Sequence, residues 1–166
     1  VLQAGTITQY TATLNEFNTT WNGSNAYCQL VFTASDPIGE ATDVTVMLNE
    51  TGITTGISTY TFNVLGSFTA EPLITITVNA VTGGTGATLN IYNATTGQGI
   101  SLTRNWTAGD IIEIDCKNYG VEVNTVESDY DGIFLVLPAG TQALTQSNTF
   151  TTVDMDIYAT YKKRTV

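Results

Sequence analysis

The sequence predicts an all-β chain, folded as a two-sheet antiparallel β-sandwich of the jelly-roll kind. Three observations carry that prediction. Apolar residues recur with period two, turn residues separate the alternating runs at short intervals, and no segment sustains a 3.6-residue period. No alternation of strand-like and helix-like segments is visible, so a parallel sheet with crossover helices does not fit.

The first strand-like runs are Thr6–Thr13, Tyr27–Ala34, Val44–Leu48 and Thr59–Leu65. Asp-Pro and Gly-Glu interrupt the pattern around Asp36–Asp43, and Asn49–Ser58, rich in Thr and Gly, reads as a loose connection. Leu73–Val78 sets Ile74, Ile76 and Val78 on one face, with Thr75 and Thr77 opposite. Thr88–Tyr92 follows. Ile111–Cys116 then repeats the device, with Ile112, Ile114 and Cys116 inward and Glu113 and Asp115 outward. Gly120–Val123, Ile133–Val136 and Gln142–Thr145 are shorter candidates. The last run, Val153–Tyr161, alternates Val153, Met155, Ile157, Ala159 and Tyr161 with polar residues, as a half-buried strand does. Ile74, Ile76, Ile112, Ile114, Met155 and Ile157 are the predicted core.

Between these runs stand Asn22-Gly23, Gly83-Gly84, Thr96-Gly97, Ala108-Gly109-Asp110, Asp131-Gly132 and Pro138-Ala139-Gly140. Each supplies the positive or fixed φ that a reversal needs.

With 166 residues, the chain fits one domain, or one domain plus a fragment of another. That length can bury a core without disulfides or a structural metal. Charged residues make up only 12% of the chain, so Thr, Asn, Ser and Gly carry the polar surface. Fifteen acidic residues against five basic ones give a formal charge of −10. Such a chain repels nucleic-acid phosphates and anionic membrane, and neither is an expected partner. No apolar run approaches the roughly 20 residues of a membrane-spanning helix. The chain starts at Val1 inside a strand-like pattern, without a signal peptide, and so reads as part of something longer. Lys162, Lys163 and Arg164 cluster at the C-terminus, either as a contact for an acidic neighbour or as a solvated tail that caps an edge strand.

The composition argues against bond-making chemistry. There is no histidine, hence no Ser-His-Asp or Cys-His arrangement and no imidazole ligand. No phosphate-cradling glycine loop leads from a strand into a helix. Paired carboxylates are the one open catalytic route, and a glycosidase would need two of them about 5–9.5 Å apart across a cleft. Asp110, Glu113, Asp115, Glu127, Asp129, Asp131, Asp154 and Asp156 are the candidates, but most fall at outward strand positions or in turns. Glu127-Ser128-Asp129-Tyr130-Asp131-Gly132 superficially resembles the opening of a calcium loop, yet lacks its third Asp and its late bidentate Glu. A turn built on Asp and Gly is the simpler account. Cys28 and Cys116 have no metal-ligand spacing, and each lies in an apolar alternating stretch that suits a small buried side chain. Five Asn-x-Ser/Thr sequons, at Asn18, Asn22, Asn49, Asn93 and Asn105, are unremarkable in a chain so rich in Asn and Thr. No catalytic, cofactor or metal site is expected.

Aromatic residues are the remaining source of recognition chemistry. Trp21, Trp106, Tyr92, Tyr119, Tyr130 and Tyr158 offer ring faces to a glycan or a protein partner, although in a sandwich most such rings pack in the core or along its rim. Trp106, with Arg104 and Asn105 beside it, forms a polar-plus-aromatic cluster, and Tyr130 is a further candidate contact. A carbohydrate-binding module or a host-surface adhesive domain is therefore the main alternative to a purely structural role.

The order of the motifs points to a family. Tyr60 to Ile76 reads strand, Gly66, Pro72, apolar strand. Leu89-Asn90-Ile91-Tyr92-Asn93-Ala94-Thr95-Thr96-Gly97 is a strand ending in Asn before Thr-Thr-Gly. Thr107-Ala108-Gly109-Asp110-Ile111-Ile112-Glu113-Ile114-Asp115 carries a Gly-Asp, apolar, apolar-Asp segment, and Lys117 to Val123 follows as a strand that pairs back. Asp131-Gly132-Ile133-Phe134-Leu135-Val136-Leu137-Pro138-Ala139-Gly140 ends in Leu-Pro-x-Gly. From about Thr59 to Tyr161 this succession resembles the C-terminal domain of siphophage distal tail proteins. Upstream, Val31 to Gly39 is similar to the Phe…Asp-Pro-x-Gly element that closes the family's N-terminal ring-forming domain.

The resemblance implies a galectin-like sandwich over residues 46–166. Residues 1–45 would be a remnant or the closing strands of the ring-forming domain, or else part of the sandwich. It also implies a structural protein of the virion, at the tail tip, in a homo-hexameric ring in the full-length protein. The expected partners are the tail tube, the hub and the receptor-binding protein, with this domain as a docking platform. Family members with this fold need not bind sugar, and the missing histidine removes a residue that galectin sites use.

Overall fold

The computed structural model describes residues 8–9, 12–22, 25–34 and 39–165. Every regular element among them is a β-strand. One sheet takes β1 (Thr8–Gln9), β4 (Gly39–Ile53), β6 (Leu73–Thr82), β9 (Ile111–Asp115), β10 (Gly120–Val123), β11 (Val126–Glu127) and β14 (Thr152–Thr165). A second takes β5 (Ile57–Val64), β7 (Ala87–Asn93), β8 (Gly99–Arg104), β12 (Asp131–Ile133) and β13 (Gly140–Asn148). β2 (Ala12–Asn22) and β3 (Asn25–Ala34) form a separate two-stranded ribbon.

The seven-stranded sheet runs β1-β4-β14-β6-β9-β10-β11 and the five-stranded sheet β12-β8-β7-β13-β5. All the strand pairs in both are antiparallel. The predicted period positions the core. Ile74, Ile76, Ile112, Ile114, Met155 and Ile157 from the larger sheet are fully buried, as are Leu89 and Leu144 from the smaller one. These side chains belong to one continuous apolar cluster, so the two sheets face each other as an antiparallel β-sandwich. Each fully buried Ile or Leu contributes roughly 1.5–3 kcal/mol.

Several expectations are corrected. Asn49–Ser58 is not a loose connection. β4 runs through Ile53, only residues 54–56 break the backbone ladder, and β5 starts at Ile57. Thr and Gly there mislead because Gly52 accommodates its positive φ within the long strand, where its N–H donates to Asp156 Oδ1 at 3.0 Å. The interruption around Asp36–Asp43 likewise ends by Gly39, where β4 begins, and residues 35–38 lie outside the described ones. β4 therefore passes unbroken through residue 45.

The strand expected at Ile133–Val136 is instead Asp131–Ile133, so Asp131-Gly132 is not a turn. Gly132 pairs with Ile100 of β8, and a Cβ on it would strike the carbonyl of Gly99; the glycine is there for close backbone approach. Of the two cysteines, Cys116 is buried as expected, but Cys28 is exposed, on the separate ribbon instead of under a second sheet. Both are free thiols. Lys162, Lys163 and Arg164 are not a solvated tail. They extend β14 alongside β4, and Arg164 meets Glu71 of the same chain at 3.8 Å. The Thr6–Thr13 run is described only in part, as Thr8–Gln9 and the start of β2 at Ala12.

Candidate interaction site

The sequence brings Arg104, Asn105 and Trp106 together at the end of β8, and the structure spends all three on their own loop. Trp106 is only 5% exposed. Its Nε1 donates to Ala87 O at 2.8 Å, and its ring meets the Phe150 edge perpendicularly at 5.8 Å. The Arg104 guanidinium lies over the indole, 5.6 Å from its centre. Asn105 is exposed, and its Oδ1 accepts from Gly86 N at 2.9 Å. Trp106 N–H donates to Gly84 O at 3.0 Å. A tryptophan held by its N–H, one face and one edge pins the loop between β6 and β7, and offers no open ring to a ligand.

Tyr130 stands in a different aromatic group. Its ring meets Phe134 edge-on at 5.1 Å, and Tyr119 meets the same Phe134 edge-on at 5.5 Å. Phe134 is buried, whereas Tyr130 is 43% and Tyr119 66% exposed. Val126 on β11 and Ile133 on β12 are exposed apolar residues on strands that each end a sheet. A buried Phe buttressing two exposed Tyr rings has the aromatic composition that protein-contact surfaces favour. Sequence reasoning singled out Tyr119 and Tyr130 here but missed Phe134, Val126 and Ile133. Phe134 was legible only as part of a motif, and the other two look like ordinary strand residues.

Of the eight candidate carboxylates, Asp110, Asp115 and Asp156 are held by hydrogen bonds from their own chain. Asp110 is buried beside the turn that precedes β9. It accepts from Thr107 N at 2.8 Å, Thr107 Oγ1 at 3.1 Å and Asn124 Nδ2 at 2.9 Å. Burial pushes its pKa up, but these hydrogen bonds and the Arg104 charge outweigh that and hold it below the usual carboxylate value. Asp115 accepts from Lys117 N at 2.9 Å and from Asn118 Nδ2 at 2.7 Å. Glu113, Glu122 and Glu127 form a row across β9, β10 and β11 on the outer face. Glu127 and Asp131, which bracket the calcium-like stretch, sit on strands of different sheets. Among the described residues, no three Asp, Glu, Cys or His side chains converge as a metal site.

On the same outer face a cleft of about 170 Å³ is lined by Val44 and Leu73 together with a Lys117–Glu40 ion pair at 2.7 Å. The Cys116 thiol, buried and near Asp115 and Glu71, is pushed up to about 12 and is no nucleophile.

Comparison with known proteins agrees with this picture. Residues 65–164 match the family described as the siphovirus-type tail component, C-terminal domain. No curated protein matches the chain. Among solved structures, the crystal structure of SPP1 Dit, a protein described as a paradigm of the hub adsorption apparatus in phages infecting Gram-positive bacteria, superposes with a TM-score of 0.58 at 9% identity. The superposition covers 96% of this chain and 61% of that one, so the chain spans about three fifths of its length. That likeness reports the fold. The family match extends over more than half of the sequence, through the Gly109-Asp110 and Leu137-Pro138-Ala139-Gly140 segments. The chain belongs to the siphophage distal tail protein family, whose members are structural components of the phage tail.

Proposed function

We propose that this chain is the docking domain of a distal tail protein at the tail tip, joining tail tube, hub and receptor-binding apparatus. It works through contact surfaces and not through catalysis. The observation that carries the reading is the family match over residues 65–164, borne by a sandwich whose buried Asp110 and Trp106 serve its own loops. The Tyr119–Phe134–Tyr130 group supplies a surface for a neighbouring tail protein.

In the same reading, the full-length protein assembles as a homo-hexameric ring, and residues 1–45 are either closing strands of its ring-forming domain or part of the sandwich. For residues 39–45 the second is favoured, because β4 pairs with β14 from Gly39 onward and lies whole in the seven-stranded sheet. Negative-stain microscopy of the full-length protein tests the assembly, with six-fold rings expected and a monodisperse monomer counting against it. Tyr119→Ala with Tyr130→Ala should weaken co-assembly with the other tail proteins while leaving the melting temperature near that of the parent. Unchanged assembly would remove this surface from the proposal.

A further inference from the structure

The outer face of the five-stranded sheet brings polar side chains into register. Register places Ser147, Asn90, Ser101 and Asp131 opposite one another on β13, β7, β8 and β12, as one polar row across four strands. One row on, Tyr92 stands opposite Gly99. A side chain at Gly99 would run into Tyr92, and its absence leaves the flank of the tyrosine uncovered. The result is a hollow of about 260 Å³ lined by Asn90, Tyr92, Ser101, Asp131 and Ser147.

The hydrogen-bonding capacity of this row is not consumed internally. Asn90 donates one amide hydrogen to Ser147 Oγ at 3.1 Å, which leaves its second hydrogen and its carbonyl oxygen. Asp131 is exposed and has no hydrogen-bond or ion-pair partner among the described residues. That sets it apart from Asp110, Asp115 and Asp156, whose oxygens are held by their own chain.

We infer that this hollow binds a neutral saccharide, one ring of which lies against Tyr92 while its hydroxyls bond to Asn90, Ser101, Ser147 and Asp131. Three properties favour that ligand. A carboxylate beside amide and hydroxyl groups offers acceptors and donors in a line, matching neighbouring hydroxyls that both give and accept. The tyrosine supplies an apolar surface for the C–H face of a ring. No Lys or Arg lines the hollow, and the chain carries a formal charge of −10, which disfavours phosphorylated or acidic sugars. The volume lies just below the roughly 300 Å³ at which drug-sized pockets begin, so it has room for one ring and not for a long chain.

The test is a two-dimensional ¹⁵N–¹H NMR titration of this chain with the methyl glycosides of galactose, glucose, rhamnose and N-acetylglucosamine, and with glycerol phosphate as the anionic control. One or more neutral glycosides should give saturable shifts confined to the amides of residues 90–92, 99–101, 131–132 and 147. Asp131→Ala should weaken that binding about tenfold, the worth of one charge-assisted hydrogen bond. Because Asp131 is exposed and unpartnered, its variant should melt with the parent. Tyr92→Phe should retain binding and Tyr92→Ala lose it.

Absence of shifts with all four neutral probes would overturn the inference. So would shifts centred elsewhere, tighter binding of glycerol phosphate, or an Asp131→Ala variant of unchanged affinity. A chain that binds no sugar here would still be a tail scaffold, since ring assembly is read by a separate measurement.

Discussion

Asn124 ties two turns together through Asp110. Its Nδ2 donates to Asp110 Oδ1 at 2.9 Å, and its Oδ1 accepts from Ile111 N at 2.9 Å. The Gly-Asp segment therefore acts as a clamp between the start of β9 and the tight turn joining β10 to β11. Gly109, at φ 93°, supplies the reversal, and the Asp110 carboxylate holds both ends.

Asp110→Ala would strand Thr107 N–H and the Asn124 amide, costing about 1–3 kcal/mol. Acid should erode the same contribution. The folded pKa of Asp110 is lowered, so below the unfolded value of about 3.9 the unfolded chain takes up the proton first. The stability from Asp110 is thus present above that value and is lost as pH falls through the lower, folded pKa. Urea denaturation at several acidic pH values should show the variant less sensitive than the parent. Equal pH slopes would remove Asp110 from this role.

Ile114→Asp should abolish cooperative melting. Ile114 is fully buried, opposite Ile74 on one side and Val121 on the other. A carboxylate there loses its hydration with no cation to pair with, a cost of several kcal/mol. Circular dichroism of a soluble variant that melts like the parent would refute the core assignment.

Thr125→Gly should raise stability by about 1 kcal/mol. Asn124 and Thr125 form the two-residue turn between β10 and β11 with φ of 52° and 65°. Asn tolerates that region, whereas a β-branched threonine is strained in it. Asn-Gly is the sequence such a turn prefers. Chemical denaturation reads the gain directly, and a loss would mean that the Thr125 Oγ1 bond to Asn124 O, at 2.6 Å, outweighs the strain.

Glu122→Lys should stabilise the outer face by about 0.5 kcal/mol, because it replaces two like-charge cross-strand neighbours with two attractive ones. The gain should shrink as salt rises. Thermal melts of parent and variant at low and high ionic strength decide it.

Thiol titration should find one reactive cysteine in the folded chain and two after unfolding. Cys28 is exposed, whereas Cys116 is buried with its thiol pushed up to about 12. Two reactive thiols in the native protein would contradict the packing around Cys116.

The legible part of this protein was its strand period. Because side chains alternate faces along a strand, Ile74, Ile76, Ile112, Ile114, Met155 and Ile157 declared an inward face without any knowledge of their partners, and all six are buried. β8 was missed although Gly99-Ile100-Ser101-Leu102-Thr103-Arg104 has the same alternation, with Ile100 and Leu102 inward; its two apolar residues are a short signal beside a turn. The reach of β4 is hidden because Asn49, Glu50 and Gly52 are weak strand formers and no apolar residue alternates among them. There, pairing with the long β14 outweighs local preference.

The fold class, the core and the family could be reached from the order of residues, since period two and the Gly-Asp and Leu-Pro-x-Gly segments are local patterns. Which side chains share a surface could not. Whether Trp106 is a free ring or a packed one depends on Phe150 and Ala87, distant in sequence, which enclose it. Ser147, Asn90, Ser101 and Asp131 became one row only through strand register. Alternation along a strand is decided by the backbone of that strand alone, but juxtaposition across strands depends on which edges pair and at what offset, and those are settled by the packing of the whole sandwich.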